Sequence, residues 1–307
     1  MLKLAALFAV LIWTTLSAGV EDYFKQLSHK PNGHSFENID FIYMINLDER
    51  PEKFQASIEQ LAPYGIIPYR FSAVNGWNLP LTTINALGTK YEIRMGNGRW
   101  GTSYPVEYNG LPCHEIMHVP GKPYYGHCMS RGAVGILLSH LSILKDAYDS
   151  GYNIIWVLED DIEVVEDPRI LPYFIKELNE LVGEEGWDIL FTDPDTKGMD
   201  GNYISCFSNA WRPHLQLVDL GRFREREDIG HLFRKIGARY GAYSMIVQRS
   251  GMEKILDFFK KRSFFLPFDM EYTLPAQIRL FTLKKDIVST MPKAVSDNGA
   301  PAYLEKR

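Results

Sequence analysis

Five consecutive apolar residues, Ile154-Ile155-Trp156-Val157-Leu158, run directly into three acids, Glu159-Asp160-Asp161. The run is rich in β-branched residues, which predicts a strand buried on both faces of a sheet. Open α/β sheets bind ligands beyond the carboxyl ends of their strands, and the acids stand at that end. Adjacent carboxylates repel, so three together are costly unless a cation or hydrogen-bond donors offset the charge. Hard divalent ions such as Mn²⁺ or Mg²⁺ prefer oxygen ligands of this kind and can also hold a diphosphate. The plainer reading is a surface turn with solvated acids.

The rest of the chain supplies the other parts of such a sheet. Phe41-Ile42-Tyr43-Met44-Ile45 is apolar throughout and predicts a central strand, ending in Asn46-Leu47-Asp48-Glu49-Arg50-Pro51. Asp48 suits an N-cap, and Pro51 and Glu52 suit a first helical turn, with Phe54, Ile58 and Leu61 on the apolar face. Residues 67–74 read as a second strand, closed by Asn75-Gly76. Strand, helix, strand opens a nucleotide-binding α/β sheet, yet neither GxGxxG nor GxxxxGK[ST] follows the first strand, which argues against dinucleotide and P-loop sites. Residues 77–131 lose periodicity and read as a lid or acceptor-facing insertion. The clearest helix covers 133–150 and stops at Gly151. A helix over 171–182, a strand over 187–191 ending in Asp193-Pro194-Asp195, a strand over 241–247, a helix over 251–261 and an edge strand over 280–288 complete the expectation. Residues 21–38 read as a short amphipathic helix and a loop.

With 307 residues, 46% of them hydrophobic, the chain can bury a large core and is not disordered. A net charge of −5 gives no support for nucleic-acid binding, and Arg222-Phe223-Arg224-Glu225-Arg226-Glu227-Asp228 interleaves its charges as a salt-bridged surface does. Lys3, an apolar run from Leu4 to Trp13 and small residues through Gly19 describe a secretory signal peptide over 1–19, or an uncleaved anchor associating the protein with a membrane. A cleaved leader places the protein in the secretory pathway or outside the cytoplasm; an uncleaved one leaves it membrane-anchored. Of three cysteines, Cys113 and Cys128 are the pair able to bridge in an oxidising compartment, and none has zinc-site spacing.

Four blocks taken in order resemble one family: Ile45-Asn46-Leu47-Asp48-Glu49-Arg50, Phe71-Ser72-Ala73-Val74-Asn75-Gly76, Leu138-Ser139-His140-Leu141-Ser142-Ile143 and Leu158-Glu159-Asp160-Asp161. Their order and spacing are similar to the family 25 glycosyltransferases, among them lipopolysaccharide-sugar transferases and procollagen galactosyltransferases. Gly241-Ala242-Tyr243, Arg249-Ser250-Gly251 and Pro267-Phe268-Asp269 resemble later blocks of the family. The resemblance implies a single GT-A-like α/β domain over 39–290, a mixed sheet flanked by helices, preceded by a lead-in (20–38) and followed by a tail (291–307). It also implies a UDP-sugar donor carrying galactose or glucose, inversion at the anomeric carbon, and a glycan, lipid-linked saccharide or protein acceptor. By the same resemblance the acids are the metal motif, while Asn46, Asp48, Arg50 and Asp160, with Ala73, Asn75 and Gly76, lie about the nucleotide. Three positions in two blocks depart from the family: Gly132-Ala133-Val134-Gly135-Ile136 lacks its usual acid and cysteine, and Asn75 replaces an acid.

If the third strand continues through the acids, Glu159 and Asp161 share a face as metal ligands and Asp160 lies opposite. Inversion needs a base for the acceptor hydroxyl, for which Asp269 is one candidate and Asp193 or Asp195 another; Asp193-Pro194-Asp195 is also a second possible metal motif or a Pro-centred turn. Ser139 and His140 are neighbours on a helix and point apart, which excludes a hydrolase dyad. A catalytically silent family member that binds glycan or protein through the same cleft is the rival expectation.

Overall fold

The computed structural model describes residues 19–291 apart from 28, 29, 97, 199, 217 and 218. The expected leader and tail therefore lie outside the described residues, except for Gly19 and Met291. Eight strands form one mixed sheet: β1 (Phe41–Asn46), β2 (Tyr69–Ser72), β3 (Ile154–Glu159), β4 (Ile189–Phe191), β5 (Arg226–Ile229), β6 (Phe233–Ile236), β7 (Ser244–Gln248) and β8 (Leu280–Leu283). Their spatial order is β5-β6-β8-β4-β7-β3-β1-β2. β2, β1 and β3 run parallel, β7 runs antiparallel between β3 and β4, β8 is parallel to β4, and the β5–β6 hairpin closes the far edge.

Alternation along the buried strands makes three layers. Phe41, Tyr43, Ile45, Ile155 and Val157 pack into a core shared with helices α3 (Arg131–Asp149), α5 (Arg249–Lys260) and α6 (Phe268–Glu271). Ile42, Met44, Trp156 and Leu158 face the opposite core with α1 (Pro51–Leu61) and α4 (Leu171–Val182). α2 (Leu81–Leu87) lies within the insertion. Both faces of β1 and β3 are thus covered, and only their ends reach solvent. Among the described residues, no helix is long and apolar enough to cross a membrane.

Several expectations change. Among the described residues, 21–38 hold no helix beyond a single 3-10 turn at Val20–Tyr23; side chains tie the segment down instead, Lys30 to Asp146 and Lys25 to Ser72. The expected edge strand is internal, with β8 paired to both β4 and β6. The hairpin that provides the true edge comes from charged sequence without an apolar signature, where Asp228 pairs with Arg234 and Lys284 across strands. The insertion is built from α2 and two short ribbons, Thr89–Lys90 with Pro123–Tyr124 and Trp100–Ser103 with Cys113–Ile116. All three cysteines are free, so the Cys113–Cys128 bridge is absent.

Helix α3 begins at Ser130, whose hydroxyl accepts from Ala133 N at 3.0 Å, and lies directly against the chain leaving β2. A Cβ on Gly135 would stand 2.3 Å from the Val74 carbonyl oxygen, and one on Gly76 would stand 1.8 Å from that of Arg131. Two glycines therefore set the distance between helix and loop. Gly135→Ala is expected to lower the unfolding free energy by about 1–3 kcal/mol through overpacking, read as a shift of the urea midpoint at constant m-value.

Candidate active site

The pairing of β1 with β3 places Ile45 beside Glu159, so the ends of both central strands open at one place. The expected alternation of the acids ends there, because β3 stops at Glu159 and the chain turns through Asp160 and Asp161 into Ile162–Val164. Each acid consequently has its own surroundings. Glu159 Oε1 lies 2.9 Å from His140 Nε2. Asp160 Oδ2 accepts from Asn46 Nδ2 at 2.6 Å, and its carbonyl accepts from Ser57 Oγ at 2.9 Å. Asp161 is fixed through its backbone carbonyl, which accepts from Met291 N at 3.0 Å, while its buried Oδ1 has no hydrogen-bond partner among the described residues.

The three acids line one cleft of roughly 630 Å³, including its open mouth, with Asn46, Lys53, Ala73, Asn75, Gly76 and Trp77. Burial, and then the charges of Glu159 and Asp160, push the Asp161 carboxyl up to about 7, against the opposing pull of Lys53. A carboxyl that is costly to ionise, beside two others and with an orphaned oxygen, fits a cation supplied from outside. Among the described residues, no three His, Cys, Asp or Glu side chains converge into a complete cage, so one or two carboxylates are what the chain offers.

Asn46 organises this corner: besides Asp160, its amide donates to the Arg50 carbonyl at 2.8 Å, and its Oδ1 accepts from Arg70 Nε at 2.8 Å. The Ala73 N–H joins the Asn46 carbonyl at 2.9 Å, carrying the β2 exit to the end of β1. Asn75 shapes the loop, its Oδ1 accepting from Trp77 N and its Nδ2 donating to Glu49. Asp48 and Arg50 do not line the cleft. Asp48 takes a hydrogen bond from Ser72 and pairs with Arg70 at 2.9 Å, which together hold its carboxyl low; Arg50 pairs with Glu52 at 2.5 Å. Asp48 is also no helix cap: Arg50 occupies that position and Pro51 begins α1.

Asp193 and Asp195 lie apart from the cleft. Asp193 is fully buried against Arg239 at 2.7 Å, with Tyr243 Oη at 2.5 Å and Ser289 Oγ at 2.8 Å. Asp195 pairs with Arg226 at 2.9 Å and accepts from Ser205. Both carboxylates thus have guanidinium partners. Asp269 differs: its Oδ2 accepts the Gly241 N–H at 3.1 Å, and burial raises its pKa further than that bond lowers it, with Glu159 adding to the rise. Adjacent Phe268 stacks on His140 at 4.2 Å, so the His140 ring joins Glu159 on one side to the Asp269 turn on the other.

Sequence reasoning passed over Lys53, Trp77 and the His140–Glu159 contact. Lys53 follows Pro51 in the first turn of a helix leaving a strand end, which is a usable signal. His140 is addressed to Glu159 by packing across 19 residues of sequence, which no local pattern displays.

The sequence profile of glycosyltransferase family 25, described as "LPS biosynthesis protein", matches residues 39–271. A "Glycosyltransferase 25 family member" of Drosophila melanogaster is 27% identical over 174 residues, 55% of this chain and 23% of the relative. "Procollagen galactosyltransferase 1" of Danio rerio is 25% identical over 54% of this chain and 23% of the relative. "Inactive glycosyltransferase 25 family member 3" of Mus musculus is 24% identical over 54% and 24% respectively. The aligned part spans about a quarter of each of these relatives.

Two outcomes follow from the electrostatics. The Asp161 carboxyl titrates higher folded than unfolded, so its ionisation destabilises the metal-free protein as pH rises from about 4 to about 7. Asp161→Asn is therefore expected to raise the melting temperature at pH 8, by about 2–4 °C per kcal/mol of relieved repulsion, with the gain vanishing near pH 4. Arg239→Met strands Asp193 in the core and is expected to cost about 3–5 kcal/mol in urea unfolding at pH 7.

Proposed function

Because the chain belongs to glycosyltransferase family 25, we propose that it transfers a hexose, galactose or glucose, from a UDP-sugar to a hydroxyl acceptor with inversion, on a GT-A-like sheet. One observation carries the reading: the acid turn after β3 and the loop after β2 meet in a single cleft at the carboxyl ends of parallel strands. Asp161 and Glu159 would hold a Mn²⁺ or Mg²⁺ ion, whose positive charge, when bound, offsets charge developing on the diphosphate. The chain itself aligns that site. Asn46 fixes Asp160, His140 fixes Glu159, and the Ala73–Gly76 loop forms the wall assigned to the base or ribose.

Asp269 is the proposed base. An inverting step needs a carboxylate free to take a proton; burial raises the pKa of both Asp269 and Asp193, but Asp193 is tied to Arg239, Tyr243 and Ser289. The acceptor is a glycan, a lipid-linked saccharide or a protein; the name of the Danio rerio relative favours a protein hydroxyl and the family description a lipopolysaccharide. With the N-terminal leader cleaved, the enzyme would work in a lumen supplied with nucleotide sugars.

The catalytically silent reading has its own support in the mouse relative named inactive and in Ala133 and Ile136 at two of the three departing positions. Measuring UDP release from UDP-galactose and UDP-glucose, with and without Mn²⁺, decides between them. Metal-dependent release that falls at least ~100-fold in Asp161→Asn is expected. Release from neither donor in the presence of Mn²⁺, despite UDP binding, establishes the silent reading.

A further inference from the structure

A recess of roughly 1270 Å³, including its open mouth, lies between the end of α5 and the Thr89–Lys90 ribbon of the insertion. It is bordered by Lys90, Arg94, Lys260, Lys261 and Arg262, against the single carboxylate of Glu92. That acid is taken: it pairs with Arg94 at 2.6 Å and faces His214 at 3.5 Å. Lys90, Lys260, Lys261 and Arg262 form no ion pair among the described residues. The carbonyl end of α5 can use Lys260 and Lys261, but it does not account for Lys90 or Arg262. The chain as a whole carries a net charge of −5, so this excess of positive charge is local.

Arg262 keeps its place without a counterion. Its guanidinium lies 4.6 Å from the centre of the Phe258 ring, and that of Arg212 lies 5.2 Å from the same ring. Glu271 is committed to Arg212 at 2.7 Å and to two backbone N–H groups. Burial, and then the Arg212 charge, lower the Arg262 pKa. Like charges gathered in this way fit an anion supplied from outside.

Two further observations say what carries that anion. Gly19, Val20 and Tyr23 line the same recess, so the chain enters the domain there. Upstream, Leu4 to Trp13 is apolar, and only Thr14 to Ala18 separate it from Gly19, a reach of roughly 20 Å at full extension. Such a run is too short to span a bilayer, and a short apolar anchor holds firmly only with a second attraction. Between Glu92 and Arg94 stands Ile93, at 75% the most exposed large apolar side chain among the described residues. Cations beside an exposed aliphatic tip and an apolar tether suit an anionic bilayer surface. A dissolved acidic glycan calls for neither apolar part.

We infer that this basic recess is the face the domain lays on an anionic membrane. Lipid headgroups meet Lys90, Lys261 and Arg262, while Ile93 enters the headgroup layer. The donor cleft plays no part in this contact, so the two readings stand or fall separately.

The full 307-residue chain is floated with vesicles of phosphatidylcholine alone and with vesicles containing about one-third phosphatidylserine, so the leader is common to both arms. Partition onto the anionic vesicles is expected to exceed that onto the neutral ones at least ~10-fold, and to lose the excess at about 0.5 M salt. Lys90→Glu with Lys261→Glu, both exposed, is expected to lower the anionic partition at least ~10-fold, and Ile93→Ser about threefold, with melting temperatures unchanged. Equal partition onto both vesicles, or an anionic preference that survives the double charge reversal, overturns the inference. So does salt-sensitive binding of a heparin oligosaccharide without preference for anionic vesicles, which assigns the recess to an acidic glycan.

Discussion

Like-charge repulsion at the end of β3 is the constraint around which this molecule is arranged. Three consecutive acids would disperse into solvent if the chain allowed it. Here the parallel pairing of β1 with β3 holds Glu159 beside Ile45, and the turn that follows is fastened to Asn46, Ser57 and Met291. The backbone remains where it is even though the charges do not favour it. The two cores on either side of the sheet supply the necessary burial, with Ile155, Trp156, Val157 and Leu158 all inaccessible to solvent. A strained electrostatic corner on a rigid support is the usual condition of a binding site.

The buried carboxylates divide by their partners. Asp188 has Arg279, Lys254 and Ser250, which together hold its pKa low despite burial. Glu271 has Arg212 at 2.7 Å and the N–H groups of Phe265 and Leu266. Asp193 and Asp195 belong with these: their charges are spent on joining strands and loops. Asp161 and Asp269 do not, since neither forms an ion pair among the described residues; burial raises their pKa values and that of Asp193 alike, so the ion pair to Arg239 is what sets Asp193 apart. They are also the two carboxylates to which the proposed transfer assigns the metal and the proton. Partner accounting therefore separates chemistry from architecture more sharply than burial does.

Much of this was legible in the sequence because the informative segments carry their own period. β1 and β3 are continuous apolar runs, α3 has a full apolar face and a glycine stop, and the acids abut a strand whose direction follows from the parallel sheet. Asn46, Ala73, Asn75, Gly76 and the three acids all reach the expected cleft. What the sequence concealed is of another kind. β5 and β6 are charged strands held by cross-strand ion pairs, so hydropathy gives no hint of them. Asp48 and Arg50 share the sequence block of Asn46, yet they pair with Arg70 and Glu52 and neither lines the cleft. Asp193 resembles a free acid in a Pro-centred turn until Arg239, 46 residues later, is brought against it.

The proposed transfer needs Asp161 and Glu159 to hold a cation beside the diphosphate of the donor. Anomalous diffraction at the manganese edge, from crystals grown with Mn²⁺ and UDP, examines that directly. The account predicts one strong peak within coordination distance of an Asp161 carboxylate oxygen and of the diphosphate. A map with UDP bound in the cleft but no manganese beside Asp161, or with the only peak at Asp193 and Asp195, would contradict it.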